Sequence, residues 1–290
     1  MLSVEYSHGS VVLPNDVQWP TLHSPVLFVR HFYEPFYDSV LNGMKAIKPA
    51  TGTGFTKAIL CGNAGIGKSA FGMYALFRAV RDGRTVVYAS GKSMEYLVFK
   101  GGAVYAAYKD LDDLARFTED PETVLICDGM VPPVCKAFTL LVTSPRKDHW
   151  HEFDKEMDCS MFFFPVFTLD EMRACRDQCF PGVGEAGMLS RFARWGGIPR
   201  YVLAKREAAD QEQLEASLNR TTLESVIERS ATLELSCDQD MSDRLLHIKV
   251  AGETDASLLP SDEAYYCKSS IDLASKYVAE LVAHAMQRNA

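Results

Sequence analysis

Apolar residues in this chain gather into short continuous runs separated by helix-length amphipathic stretches. Thr56-Lys57-Ala58-Ile59-Leu60-Cys61, Arg84-Thr85-Val86-Val87-Tyr88-Ala89-Ser90, Thr123-Val124-Leu125-Ile126-Cys127-Asp128 and Ala137-Phe138-Thr139-Leu140-Leu141-Val142-Thr143 are all of strand length. Strands buried on both faces are continuously apolar instead of alternating, which is the mark of a parallel sheet covered by helices. Met161-Phe162-Phe163-Phe164-Pro165-Val166-Phe167 predicts a further strand that ends at Pro165. Ala70 to Val80, closed by Asp82-Gly83, predicts a helix, and Asp110 to Phe117 a short acidic one. Tyr96–Lys100 and Ala103–Tyr108 flank Gly101-Gly102 and predict a hairpin inserted between core strands.

Downstream the period changes to helical. Thr168 followed by Glu171 is a T-x-x-E capping box, opening a helix to about Cys179 that Pro181-Gly182-Val183-Gly184 breaks. Met188 to Trp195 predicts another helix, and Gly196-Gly197-Ile198-Pro199-Arg200 turns into a third with Arg200 at its start. Glu207 to Thr232 is charged and helical in composition, and Asp243 to Val250 is a strand. Ser270 is expected to cap a last amphipathic helix with Ile271, Ala274, Val278, Leu281 and Met286 on one face. His247, on a strand, is expected to be structural.

Between the first strand and its helix stands Gly62-Asn63-Ala64-Gly65-Ile66-Gly67-Lys68-Ser69, the G-x-x-x-x-G-K-S pattern of a P-loop. Its glycines let successive N–H groups turn onto one anion. Lys68 carries a compact charge to the β- and γ-phosphates, and Ser69 offers a hydroxyl to Mg²⁺. The helix that opens through Ala70 points its positive end at the same phosphates. The nucleotide-binding set is therefore Gly62, Asn63, Ala64, Gly65, Ile66, Gly67, Lys68, Ser69 and Ala70, and the nucleotide ATP or GTP.

Asp128 closes an apolar strand one αβ unit later, as a Walker B carboxylate that holds Mg²⁺ together with Ser69. The next residue is Gly129, where many P-loop ATPases carry a glutamate that polarises the attacking water. Thr143 and Ser144, at the tip of the neighbouring strand, are candidates to sense the γ-phosphate, with turn capping as the competing role. Arg146 and Lys147 are surface charges or a cationic finger, and Arg200 is a candidate second sensor reaching back from a helical lid. The cluster Val26 to Leu41 packs the edge of the sheet or, alternatively, stacks on a base; residues 1 to about 24 are an irregular lead-in anchored by Trp19-Pro20.

Composition narrows the setting. The chain has 290 residues, 47% hydrophobic and 23% charged, as globular proteins do. A net charge of −8 does not support a bulk electrostatic grip on nucleic acid. No apolar run approaches the roughly 18 residues of a membrane span. Met1 to His8 lacks the basic start and apolar core of a signal peptide, so an intracellular protein of cytoplasm or nucleus is expected. The eight cysteines are scattered like reduced thiols. Cys175 and Cys179 can share a helix face, but neither they nor His149-x-His151 have zinc-finger spacing, and no metal is expected there.

Several of these motifs coincide in a recognisable order: G-N-A-G-I-G-K-S at 62–69, V-L-I-C-D-G at 124–129, T-S-P at 143–145 followed by Trp150 and Phe153, F-P-V-F-T-L-D-E at 164–171, G-G-I-P-R-Y-V-L at 196–203 and D-R-L-L-H-I at 243–248. Over roughly residues 20–290 the chain resembles the NTPase module shared by Crinkler effectors of oomycetes and fungi and retrotransposon hot spot proteins of trypanosomes. The resemblance implies a P-loop NTPase related to the AAA+/STAND clade, with Gly62 to Ser69, Asp128 and, beyond these, Thr143, Ser144 and Arg200 as its functional positions. It also implies a module of multidomain proteins, some delivered into host nuclei, although this sequence shows neither the Crinkler-type translocation segment nor a nuclease or kinase-like C-terminal domain. A protein partner and a homo-oligomer are further partner classes to expect; no membrane is.

The expected architecture is α/β: a three-layer parallel-sheet P-loop core at 50–165, preceded by the lead-in and aromatic segment at 1–49 and followed by a helical lid at 166–235 and a small α+β segment at 236–290. The expected function is Mg²⁺-dependent ATP or GTP binding with slow hydrolysis, Lys68, Asp128, Thr143, Ser144 and Arg200 forming the catalytic set. The alternatives are a nucleotide-gated switch with little turnover, for which Gly129 speaks, and a small-molecule or nucleotide kinase.

Overall fold

The structure, a computed structural model, describes residues 5–7, 9–14, 17–45, 56–93, 95–107, 111–145, 150, 153, 158–220, 244–253, 257–258 and 263–289. The runs that are apolar without alternation become the centre of one seven-stranded sheet, in the order β10-β4-β9-β8-β5-β6-β7. Its parallel part comprises β4 (Lys57–Cys61), β5 (Val86–Ser90), β8 (Val124–Asp128), β9 (Phe138–Thr143) and β10 (Cys159–Phe163). The expected hairpin, β6 (Glu95–Lys100) and β7 (Ala103–Ala107), does not stand apart: it pairs antiparallel with β5 and widens the sheet. The molecule thus has the P-loop α/β fold.

Both faces are covered. On one face Ala58, Leu60, Tyr88, Ile126 and Val142 pack with helix α2 (Lys68–Arg81) through Phe71 and Tyr74. On the other, Ile59, Cys61, Val87, Leu125 and Leu141 pack with Leu114 of helix α3 (Leu111–Thr118) and with Phe153. Period-two burial of adjacent residues into two different cores is why these strands contain almost no polar positions before their ends. Helix α2 stops at Asp82, whose amide donates to the carbonyl of Arg78, and the chain leaves through Gly83 at φ 78°.

The aromatic cluster covers the sheet edge, as expected. Helix α1 (Tyr33–Lys45) lays Phe36 against Phe71 (centroids 5.0 Å apart) and against Phe162 of the edge strand β10, while Phe32 meets Phe164 at 5.1 Å. Ahead of it, β1 (Glu5–Ser7), β2 (Ser10–Val12) and β3 (Val26–Phe28) form a separate antiparallel sheet. The Thr168–Glu171 capping box is present and opens helix α4 (Leu169–Cys179). Helix α5 (Glu185–Trp195) and a π-helical turn at Arg200–Ala204 follow.

Two expectations are corrected. The lead-in, expected to be irregular to about residue 24, carries β1 and β2, because β3 offers Ser10–Val12 an antiparallel partner strand. Ser270 does not cap the last helix; it lies inside β12 (Ser269–Leu273), opposite Lys249 of β11 (Leu246–Val250), and Ile271 faces Ile248 across the pair. Ladder pairing with β11 outcompetes the local helical pattern, because β11 is already held in place by the core. The C-terminal helix begins at Lys276, and Ser275 caps it by accepting the N–H of Val278 at 3.2 Å. Val278 is buried on that helix; the side chain of Met286 lies outside the described residues. His247 is buried and structural in its setting, against the Gly196 turn.

Candidate functional site

The phosphate loop starts where β4 ends at Cys61 and closes where α2 begins at Lys68. Gly65 and Gly67 have φ of 85° and 89°, the left-handed region that side chains avoid. At Gly62 a side chain has no room: a Cβ would lie 2.9 Å from Ile66 Cδ1 and 3.1 Å from the carbonyl oxygen of Phe164. Lys68 is buried, and its Nζ donates to the carbonyls of Gly62 at 2.6 Å and Asn63 at 2.7 Å. Ala64, Ser69 and Ala70 are half-buried, and Ile66 is buried beneath the loop. The Tyr33 hydroxyl donates to the carbonyl of Gly67 at 3.3 Å, joining the aromatic layer to the loop.

Asp128 is carried to the same mouth by β8. Ser69 Oγ donates to its Oδ1 at 3.0 Å, and the Tyr88 hydroxyl donates to its Oδ2 at 3.2 Å. A serine hydroxyl and a carboxylate oxygen side by side at a helix N-terminus are the hard oxygen donors that Mg²⁺ takes, so the donor set fits that ion. Gly129 has φ 70°, and its carbonyl oxygen would lie 2.4 Å from a Cβ on Gly91. A glutamate at 129 would sit in a strained left-handed backbone.

Thr143 ends β9 directly opposite Cys61 and is buried; its hydroxyl donates to the carbonyl of Ser144 at 3.1 Å. Ser144, half-buried, follows the strand end. Arg146, Lys147, His149 and His151 lie outside the described residues. Arg200 lies on the loop itself. Its amide donates to the carbonyl of Gly65 at 3.3 Å, and its Cβ would be 2.7 Å from a Cβ added at Gly65. The lid turn and the phosphate loop therefore meet at the positions that the sequence singled out. Two cavities, of about 290 Å³ beside Arg78 and about 350 Å³ beside His31, open elsewhere, and neither is lined by a loop residue.

Three contacts at and around the loop were not legible in the sequence. The Asn63 side chain turns away from the loop mouth, donating to the carbonyl of Leu246 at 2.7 Å and accepting the amide of Ile248 at 2.8 Å. Tyr88 reads as an ordinary strand aromatic until its hydroxyl is seen on Asp128. Arg30 is buried and bound bidentately by Glu171 at 2.9 and 2.7 Å; it also donates to the carbonyls of Pro165 and Val166 and lies over Phe167 at 4.1 Å. Phe167 in turn reaches to 3.7 Å from the Cβ position of Gly67. The capping-box signal located Glu171, but nothing local reveals its second duty to Arg30. Burial alone would raise the Glu171 pKa; hydrogen bonds from His31, Arg30 and the Thr168 amide outweigh it and bring it down to about 2.

The fold and the loop define a P-loop α/β protein. No family model matches the chain. It is similar to Crinkler effector protein 15 of Phytophthora infestans, 26% identical over 202 residues that make up 66% of this chain and 32% of that protein. It is likewise similar to Crinkler effector protein 16 of the same organism, 26% identical over 180 residues, 59% of this chain and 28% of that protein. The chain thus spans under a third of the length of the curated relatives it matches. Among solved structures it is similar to the Thermotoga maritima RuvB Holliday junction branch migration motor, with a TM-score of 0.37, 16% identity and 70% of each chain covered. AMPPCP-bound DnaA from Aquifex aeolicus is another, with a TM-score of 0.33, 11% identity and 91% and 90% covered.

Proposed function

We propose that this chain binds an Mg²⁺–nucleoside triphosphate, ATP or GTP, on residues 62–70 and hydrolyses it slowly. The observation that carries this reading is the Ser69–Asp128 contact at 3.0 Å, which brings a hydroxyl and a carboxylate together at the mouth of a loop that also buries Lys68. Mg²⁺ bound there would supply neutralisation of charge on the β- and γ-phosphates. The loop amides and the N-terminus of α2 would cradle the anion. Lys68 would exchange its carbonyl partners for phosphate oxygens, and Arg200, on Gly65, would close over them. Thr143 and Ser144, at the end of β9 next to β8, would sense the γ-phosphate. With glycine at 129, no carboxylate follows Asp128 to polarise water, so turnover is slow.

A second reading, a nucleotide-gated switch with little turnover, is favoured by the bond between Asn63 and β11, which ties loop geometry to a distant segment. On either reading the chain would serve as an intracellular nucleotide-binding module like that of Crinkler-type proteins, with a protein partner or further copies of itself downstream. Phosphate release from Mg–ATP, measured with and without Lys68→Ala, separates the two. Release that the substitution abolishes supports hydrolysis; binding without release supports the switch. A wild-type protein that binds neither ATP nor GTP overturns both.

A further inference from the structure

We infer that Tyr88 is the positioning residue that orients the Asp128 carboxylate for the cation shared with Ser69, an inference that rests on the nucleotide reading above. Tyr88 lies on β5 in register with Ile126 of β8, so it shares a sheet face with Ile126 and Asp128. The ring is buried in the core against α2, where a phenylalanine would pack as well. Its hydroxyl donates its one proton to Asp128 Oδ2 at 3.2 Å, and Thr21 Oγ1 of the N-terminal segment lies 3.5 Å from the Tyr88 hydroxyl oxygen, on its acceptor side.

Asp128 has a hydroxyl on each oxygen: Ser69 on Oδ1 and Tyr88 on Oδ2. To serve a cation, Ser69 must turn its lone pairs outward and give up Oδ1. A carboxylate held from one side only is free to rotate about its Cβ–Cγ bond. Tyr88 does not compete for the cation, because its hydroxyl comes from within the sheet, and it keeps Oδ2 fixed while Oδ1 is released toward Ser69. A phenol hydroxyl has an O–H to give, and the carboxylate oxygen opposite it can only accept, so the bond runs from Tyr88 to Asp128. Fixing a ligand from behind is how outer partners sharpen a metal site.

The test is Tyr88→Phe in the full chain, read by titration with a fluorescent ATP analogue in EDTA and in Mg²⁺. The readout is the ratio of the two affinities. Loss of a hydrogen-bond partner behind a metal ligand should lower that Mg²⁺ enhancement by about tenfold or more. Asp128→Asn should abolish the enhancement, and adding Tyr88→Phe to it should change nothing further, because the hydroxyl acts only through the carboxylate. Mn²⁺ binding to the ATP-loaded protein, followed by electron paramagnetic resonance, should weaken in parallel. A Tyr88→Phe protein that binds ATP with the wild-type Mg²⁺ enhancement overturns this inference alone. An equal Tyr88→Phe effect in the Asp128→Asn background does the same, since that is what a merely structural role gives. A wild type that binds no nucleotide overturns the nucleotide reading with it.

Discussion

The carboxamide of Asn63, inside the phosphate loop, donates to the carbonyl of Leu246 across 183 residues of chain, at 2.7 Å. The same amide group accepts the N–H of Ile248, so one side chain satisfies two main-chain groups of β11, as a neighbouring strand would. Asn63 and β11 are buried, which removes water as a substitute partner. A side chain of β11 is also fitted: His247 lies 2.8 Å from the Cβ position of Gly196, in the turn that leads to Arg200, and Arg200 returns to Gly65. Loop, tail and lid turn form one closed circuit of contacts.

Asn63→Ala should therefore destabilise the protein by about 2–3 kcal/mol, two hydrogen bonds at roughly 1 kcal/mol each plus the cost of orphaned main-chain groups. Urea unfolding measures the loss. Hydrogen exchange at the Ile248 amide locates it, and full protection of that amide in the variant would show that β11 does not depend on Asn63.

Glu171 gives the fold an acid limit. Its pKa is lowered in the folded state from 4.5 to about 2, so it contributes stability that is present above pH 4.5 and is lost as pH falls toward 2. The size is about 3 kcal/mol from the linkage relation. Glu171→Gln should leave the buried Arg30 charge without its counterion and cost about 3–5 kcal/mol at neutral pH. Stability against pH, followed by chemical denaturation, should lose its slope between pH 4.5 and 2 in that variant.

His247 acts in a higher window. Burial, aided by Lys249 and opposed by Asp272, lowers its pKa from 6.5 to about 4. The unfolded chain takes up this proton first, so stability declines as pH falls from 6.5 to 4 and levels off below, by about 3 kcal/mol in all. His247→Leu should flatten the decline in that window and leave the Glu171 window untouched. A decline of unchanged slope in the variant would assign it to other groups.

Two glycines separate conformational strain from steric exclusion. Gly83→Ala meets nothing within 4 Å but must hold φ 78°, and should cost about 1–2 kcal/mol. Gly197→Ala puts a Cβ 2.2 Å from the carbonyl oxygen of Phe167, a main-chain atom that cannot swing aside. It should cost more than about 3 kcal/mol and displace the turn ahead of Arg200. Thermal melts of the two variants rank them; equal costs would remove the close approach as the cause.

By itself the sequence determined the parallel strands β4, β5, β8, β9 and β10, the loop between β4 and α2, the position of Asp128 at the end of β8 and the Thr168 cap. All of these are local: continuous apolar runs mark buried parallel strands, and glycine spacing marks a backbone that only glycine can follow. Even Arg200 could be located, because a proline-led turn places it. What only the tertiary structure decided are the partners of groups whose local context is silent. Asn63 belongs to a loop motif in which any residue is allowed, yet it is bonded to Leu246 and Ile248. Tyr88 is a good strand residue with or without its hydroxyl, yet it holds Asp128. Arg30 and Glu171, and the strand that takes Ser270 from its expected helix, depend on segments far away in the chain. Hydrogen bonds and ion pairs of this kind are chosen by which backbone groups the fold leaves buried together, and periodicity along the chain carries no record of that.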